Sequence, residues 1–155
     1  MNERWLREAF HLARRAVEKN RGGPFGAIIV RDNEIVSRGW NRVTSSHDPT
    51  AHAEMVAIRS ACRKLRSFQL DDCELYASCE PCPMCLAAIY WARIPRVVFG
   101  AGRRDAARVG FDDDLIYKEL SLPLKRRRIK FTQILSKDAQ RPLDLWACKP
   151  DKVRY

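Results

Sequence analysis

Two short segments constrain this chain more than anything else in it: His52-Ala53-Glu54 and Pro81-Cys82-Pro83-Met84-Cys85. Each falls at the predicted start of a helix, and a predicted strand, Leu75-Tyr76-Ala77-Ser78, lies between them. Thiolates crowded together repel one another unless a cation holds them, so the clustered sulfurs read as metal ligands. One imidazole (His52) and two thiolates (Cys82 and Cys85) make three protein ligands, which leaves a tetrahedral zinc one position for water. A helix N-terminus carries free N–H groups and partial positive charge, both of which favour thiolate over thiol. Whatever the fold, it has to aim two helix starts at one point.

The rest of the chain reads as one domain of 155 residues, with 46% apolar residues, four Trp, six Phe and four Tyr to build a core. Leu6, Phe10, Ala13 and Val17 recur at helical spacing behind Asn2 as N-cap, and Arg21-Gly22-Gly23-Pro24 ends that helix. Residues 25–30 read as a buried strand, Asp32-Asn33 as a turn, and residues 35–40 as the returning strand. Asp48 as N-cap with Pro49 at the first helical position predicts the next helix start. A further helix begins at Pro81 or Pro83 and ends before Pro95, and residues 96–100 form a fourth strand. Residues 101–128 lack sustained periodicity and predict a loop with short helical pieces such as 114–119. Residues 129–135 predict a fifth strand and residues 142–147 a short last helix. Alternating strands and helices imply an α/β protein: a three-layer α/β/α sandwich with a central mixed five-stranded sheet.

No apolar run is long enough to span a bilayer and the first residues lack an apolar signal core, so the expected location is cytoplasmic, with no membrane partner. Cys62, Cys73, Cys79 and Cys148 are then expected to stay reduced. Lys and Arg number 29 against 19 Asp and Glu, a formal charge of +10 that favours anionic partners, nucleic acid among them. The basic residues are spread over several elements rather than gathered in one stripe, which reads as a basic surface first and a nucleic-acid footprint second.

Glu54 lies two residues from His52, close enough to touch a metal-bound water, take its proton and hand it to a ring nitrogen and a leaving amine. Zinc would lower the pKa of that water toward neutrality. His-x-Glu with Pro-Cys-x-x-Cys is the pattern of zinc nucleobase deaminases. Residues 33–102 resemble the core of the cytidine-deaminase-like superfamily. The resemblance reaches further: Pro24-Phe25-Gly26-Ala27, residues 48–54, residues 78–85, residues 110–119 and the terminal Tyr155 are similar to the bacterial guanine deaminases.

That resemblance implies hydrolysis of guanine to xanthine and ammonia, with one Zn2+ per subunit and Glu54 as proton shuttle. It implies Asp113 as the residue that accepts from guanine N1–H and the 2-amino group and assists the proton transfers. Phe25, Asn41, Ala53, His47 and Trp91 are implied around the base, although a packing role is an equal reading for His47 and Trp91. Tyr155 would come from a neighbouring subunit, in a homodimer that exchanges its C-terminal segment (about 136–155). Two alternatives share the motif. Gly39-Trp40-Asn41-Arg42 and residues 97–101 also resemble tRNA adenosine deaminases, for which Arg103, Arg104, Arg108 and residues 125–128 could track phosphates. A guanine-like aminotriazine or pterin would present a similar edge.

Overall fold

The computed structural model describes residues 3–154, so the predicted cap Asn2 and the predicted pocket residue Tyr155 lie outside the described residues. It divides into two units, Met1–Asp113 and Asp114–Tyr155. In the first, helix α1 (Glu3–Glu18) precedes strands β1 (Gly26–Arg31) and β2 (Glu34–Trp40), a short helix α2 (Val43–Ser46) and helix α3 (Ala53–Leu65). Strand β3 (Glu74–Cys79), helix α4 (Pro83–Trp91), strand β4 (Arg96–Ala101) and helix α5 (Arg103–Arg108) follow. The sheet order is β2-β1-β3-β4, with β1 antiparallel to both β2 and β3 and β4 parallel to β3.

Strand alternation sorts the core into two faces. Ile28, Val30 and Tyr76 point to one side and pack with Trp5 of α1. Ala27, Ile29, Leu75 and Ala77 point to the other and pack with Ala53, Ala57, Ile58 and Ala61 of α3 and Ile89 of α4. Three layers result, as expected. Each fully buried Ile or Leu in these layers contributes roughly 1.5–3 kcal/mol. Gly39, on the α3 side, shows how close the layers come: a Cβ there would lie 2.2 Å from the Ala53 carbonyl oxygen and 2.7 Å from the Ala57 nitrogen.

Three expectations need correction here. The sheet has four strands, because residues 129–135 form none. A strand exists only by pairing, and this segment, with Ile129, Ile134 and Leu135 exposed, has no strand beside it among the described residues of its own unit. Helix α1 is rotated from its predicted face: Trp5, Ala9, Ala13 and Ala16 are buried while Phe10 and Val17 are exposed. The alanine stripe lets the helix sit closer to the sheet than a Phe and Val stripe could. Helix α3 starts at Ala53, not Pro49, because the Asp48 carboxylate is used locally, accepting the Thr50 N–H at 2.8 Å and its hydroxyl at 2.7 Å. Such a turn stops the chain from entering the helix at Asp48.

The second unit holds helix α6 (Asp114–Ser121), a 3-10 turn over Leu124–Arg126 and helix α7 (Ser136–Cys148). Helix α7 is longer than predicted and carries Pro142 inside it. Ala139, Gln140 and Arg141 are strong helix formers, and Arg141 pairs with Asp138 at 3.3 Å, so the helix forms ahead of the proline. No described residue of this unit is buried.

Candidate active site

Strand directions bring the site together. Because β1 is antiparallel to both β2 and β3, those two strands run the same way, and so does β4. Their carboxyl ends share one edge of the sheet, which is where open α/β sheets place ligands. Helix α3 enters from the β2 side of that edge and α4 from β3. His52 and Cys82 are therefore equivalent: each is the N-cap of its helix, with φ −66° in both and ψ 157° and 168°. Each carbonyl accepts the first helical bond, from Val56 and Leu86 respectively. Cys85 follows on the first turn of α4, and Glu54 on the first turn of α3.

His52 Nδ1 lies 3.5 Å from Cys82 Sγ and 3.6 Å from Cys85 Sγ, and the three ligand atoms all fall within 4.8 Å of one another. A tetrahedral zinc with ordinary bond lengths would hold an imidazole nitrogen and a sulfur about 3.6 Å apart. The donor set therefore fits zinc in both chemistry and spacing. Hydrogen bonds from Cys85 and His52 hold the Cys82 thiol well below its ordinary pKa, to about 4. The same contact with Cys82, together with burial, raises the pKa of Cys85. Contact with Cys82 in turn raises the pKa of His52, against its burial.

Glu54 is 8% exposed. Burial raises its pKa, and the Cys82 charge adds to the effect, so this carboxylate holds a proton more readily than a surface acid. Cys79, one strand residue before the turn, is a different kind of sulfur: burial pushes it up to about 11, and its Sγ lies 3.8 Å from the Gly102 carbonyl oxygen.

The predicted base-binding residues separate into two groups. Asn41 follows β2, is buried, and its backbone N–H donates to the Phe25 carbonyl at 3.0 Å. Its side-chain oxygen accepts from Gly23 N–H and Val43 N–H, both at 3.2 Å. The oxygen is thus already used, and the amide presents its NH2 as a donor instead of both functions. Gly22 makes this possible, since a Cβ there would lie 1.9 Å from the Asn41 carbonyl oxygen. Phe25 is half-buried before β1, and Ala53 is buried at the first position of α3. Asp113 is half-buried, and its pKa is raised by burial and then by the Cys82 charge.

His47 and Trp91 stand apart. His47 caps the end of α2 in a left-handed conformation and is exposed, while Trp91 closes α4 and is 65% exposed. Helix rise puts Trp91 about 13 Å along the axis from Cys82.

Two residues to which the sequence assigns no role of their own belong to this edge. The Phe111 ring meets Phe25 edge-on, 4.8 Å between centroids at 86°, and Glu80 ties the turn before Cys82 to the residues after β4. Pattern offered no signal for Glu80, since an acid beside a proline reads as a turn.

Residues 1–101 match the family described as the cytidine and deoxycytidylate deaminase zinc-binding region. The chain is 51% identical to the guanine deaminase of Bacillus subtilis (strain 168) over 154 residues, 99% of either chain. An X-ray structure of guanine deaminase from Bacillus subtilis superposes with a TM-score of 0.96 at 51% identity, covering 100% of this chain and 99% of that one. A tRNA-specific adenosine deaminase of Aquifex aeolicus (strain VF5) is 50% identical over 99 residues, 64% of this chain and 65% of that protein. The matched span holds His52, Cys82 and Cys85 at the spacing that a zinc site requires, with Glu54 on the first turn of α3, and the chain belongs to the cytidine and deoxycytidylate deaminase zinc-binding family.

Proposed function

We propose that this protein hydrolyses guanine to xanthine and ammonia. The observation that carries the reading is the buried Glu54 beside an imidazole and two sulfurs at zinc spacing, with Asp113 in the same unit. The resemblance to guanine deaminase covers 99% of this chain, so it extends beyond the zinc segments to the residues around Asp113. Held by His52, Cys82 and Cys85, zinc would supply a Lewis acid that acidifies water and stabilises developing negative charge.

The protein's own groups do the rest. Asn41 donates its NH2 to an acceptor on the purine, and Phe25 flanks the ring. Asp113 accepts from N1–H and the 2-amino group, a pair that adenine lacks. The first N–H groups of α3, Ala53 among them, have no acceptor within the helix and can donate to the base. Glu54 takes a proton from water as its oxygen adds to C2 and delivers it to the ring nitrogen; with Asp113 it then moves the proton of the added hydroxyl to the amine, the C2–N bond breaks and C2=O forms. Water enters, ammonia leaves and the ring becomes xanthine.

The active form in this reading is a homodimer in which residues 136–155 are exchanged and Tyr155 closes the neighbour's site. Two features support it: a C-terminal unit without a buried described residue, and exposed apolar side chains on both units, Tyr90 and Trp91 on one, Leu143 and Leu145 on the other. His47 and Trp91 could then line the completed wall.

A second reading, adenosine deamination in tRNA, is favoured by the +10 charge and by the Aquifex aeolicus relative. Ammonia release from guanine, adenine, cytosine, guanosine and tRNA decides between them, with an aminotriazine and an aminopterin added. Guanine is expected to turn over at least about a hundredfold faster than adenine or cytosine, because a mispaired polar edge is costly. Release from tRNA anticodon arms alone would overturn the reading.

A further inference from the structure

We propose that Glu80 is a positioning residue for Asp113: by accepting the backbone N–H of Arg103, it clasps residues 102–113 to the turn that carries the metal ligands. The inference rests on the role given to Asp113 above. Glu80 stands between Cys79 and Pro81, so its backbone is fixed by β3 on one side and by the approach to Cys82 on the other. Its own N–H donates to the Ala101 carbonyl at 2.8 Å, and its Oε2 accepts the Arg103 N–H at 3.0 Å. One residue thus holds both the end of β4 and the start of α5.

Residues 102–113 are held at three further places. Asp105 Oδ2 accepts the Gly102 N–H at 3.0 Å, which closes the first turn of α5. The Phe111 N–H returns to the Ala106 carbonyl at 3.0 Å, past Gly110 at φ 93°. The Phe111 ring then seats against Phe25. Residues 102–113 are therefore a short arm, rigid in the middle, with Glu80 at one end and the Phe25–Phe111 contact near the other. Asp113 sits at its tip. If the Glu80 clasp opens, the arm swings about the aromatic contact, and Asp113 loses its register with the metal ligands while the ligands themselves stay put.

The clasp can be cut from either side. Glu80→Ala removes the acceptor, whereas Glu80→Gln keeps one oxygen. Arg103→Pro removes the donor: Arg103 is the first residue of α5, where proline is well tolerated, and Gly102 already has the extended φ of −87° and ψ of 167° that a following proline demands. Arg103→Ala keeps the N–H and controls for the side chain.

Two measurements are made on zinc-loaded full-length protein: kcat and KM for guanine, and hydrogen exchange at Ala106, Val109, Gly110 and Phe111. Glu80→Ala and Arg103→Pro are each expected to lower kcat/KM about tenfold and to speed that exchange, with zinc content unchanged. Arg103→Ala and Glu80→Gln are expected to stay within about threefold of the starting protein, and the Glu80→Ala, Arg103→Pro double variant to lose no more than either alone. In an Asp113→Ala background, Glu80→Ala should change kcat/KM by less than about twofold.

An undiminished Glu80 effect in that background, or an Arg103→Pro protein equal to the unaltered one in both measurements, overturns the proposal. If Glu80→Ala does not fold, the two Arg103 variants still decide it. If unaltered protein releases no ammonia from guanine, the function reading fails, and hydrogen exchange alone still tests the clasp.

Discussion

At the residue scale the site depends on what each polar group has already spent. The Asn41 oxygen is taken by Gly23 and Val43, which leaves a donor, and the sulfurs of Cys82 and Cys85 face an imidazole nitrogen. Glu54→Gln keeps the shape of the side chain but cannot carry the proton. Its zinc content, read by elemental analysis, should be unchanged while kcat falls by about 10²–10⁴. Asp113→Asn turns one acceptor oxygen into a donor that faces N1–H. Its kcat/KM for guanine should fall by at least about a hundredfold, measured by ammonia release, with little change in melting temperature. That His52, Cys82 and Cys85 come together is legible in the chain, because coordination geometry sets the spacing of such a group. Asn41's single function and Glu80's clasp are not, since both depend on backbone N–H groups distant in sequence or in another element.

At the element scale, legibility followed local chemistry. Strands β1 to β4 are readable from short apolar runs bounded by turn residues, and the start of α4 is narrowed to Pro81 or Pro83, of which Pro83 begins the helix. The start of α3 is ambiguous in the chain because Asp48 can cap a helix or a turn with the same carboxylate, and Thr50 decides the matter through its hydroxyl. The buried face of α1 is not fixed by periodicity, which finds a stripe but does not choose between large and small side chains. Gly39 tests the tight packing of α3 on β2. Gly39→Ala places a Cβ against Ala53 and Ala57, so α3 has to shift and carry His52 and Glu54 with it. Thermal unfolding should show a loss of about 1–3 kcal/mol or more, and a metal competition assay should show weaker zinc binding.

At the scale of the whole molecule, the sheet holds the chemistry and acid tolerance depends on links such as the one between β3 and β4. Glu74 accepts from the Tyr76 hydroxyl at 2.7 Å and from Arg96 at 2.9 Å, and these bonds hold its carboxyl below the ordinary value of 4.5. Its contribution is present above the unfolded pKa and fades as pH falls through the folded one. Glu74→Gln should therefore lower the melting temperature near neutral pH, and the gap from the unaltered protein should close below about pH 4. Removal of residues 136–155 should give a species of lower mass by light scattering and abolish turnover, as the proposed exchange requires. The fifth strand expected at residues 129–135 could not be judged from the chain, because pairing is a property of the assembled sheet. The candidate metal ligands lie where β2, β3 and β4 end, at the rim of the sheet opposite the β1–β2 turn. At that turn the Asp32-Asn33 hairpin tip, with φ of 49° and 58°, is a natural splice point: a guest peptide or reporter inserted between those two residues would ride on the scaffold without disturbing the machinery at the other rim.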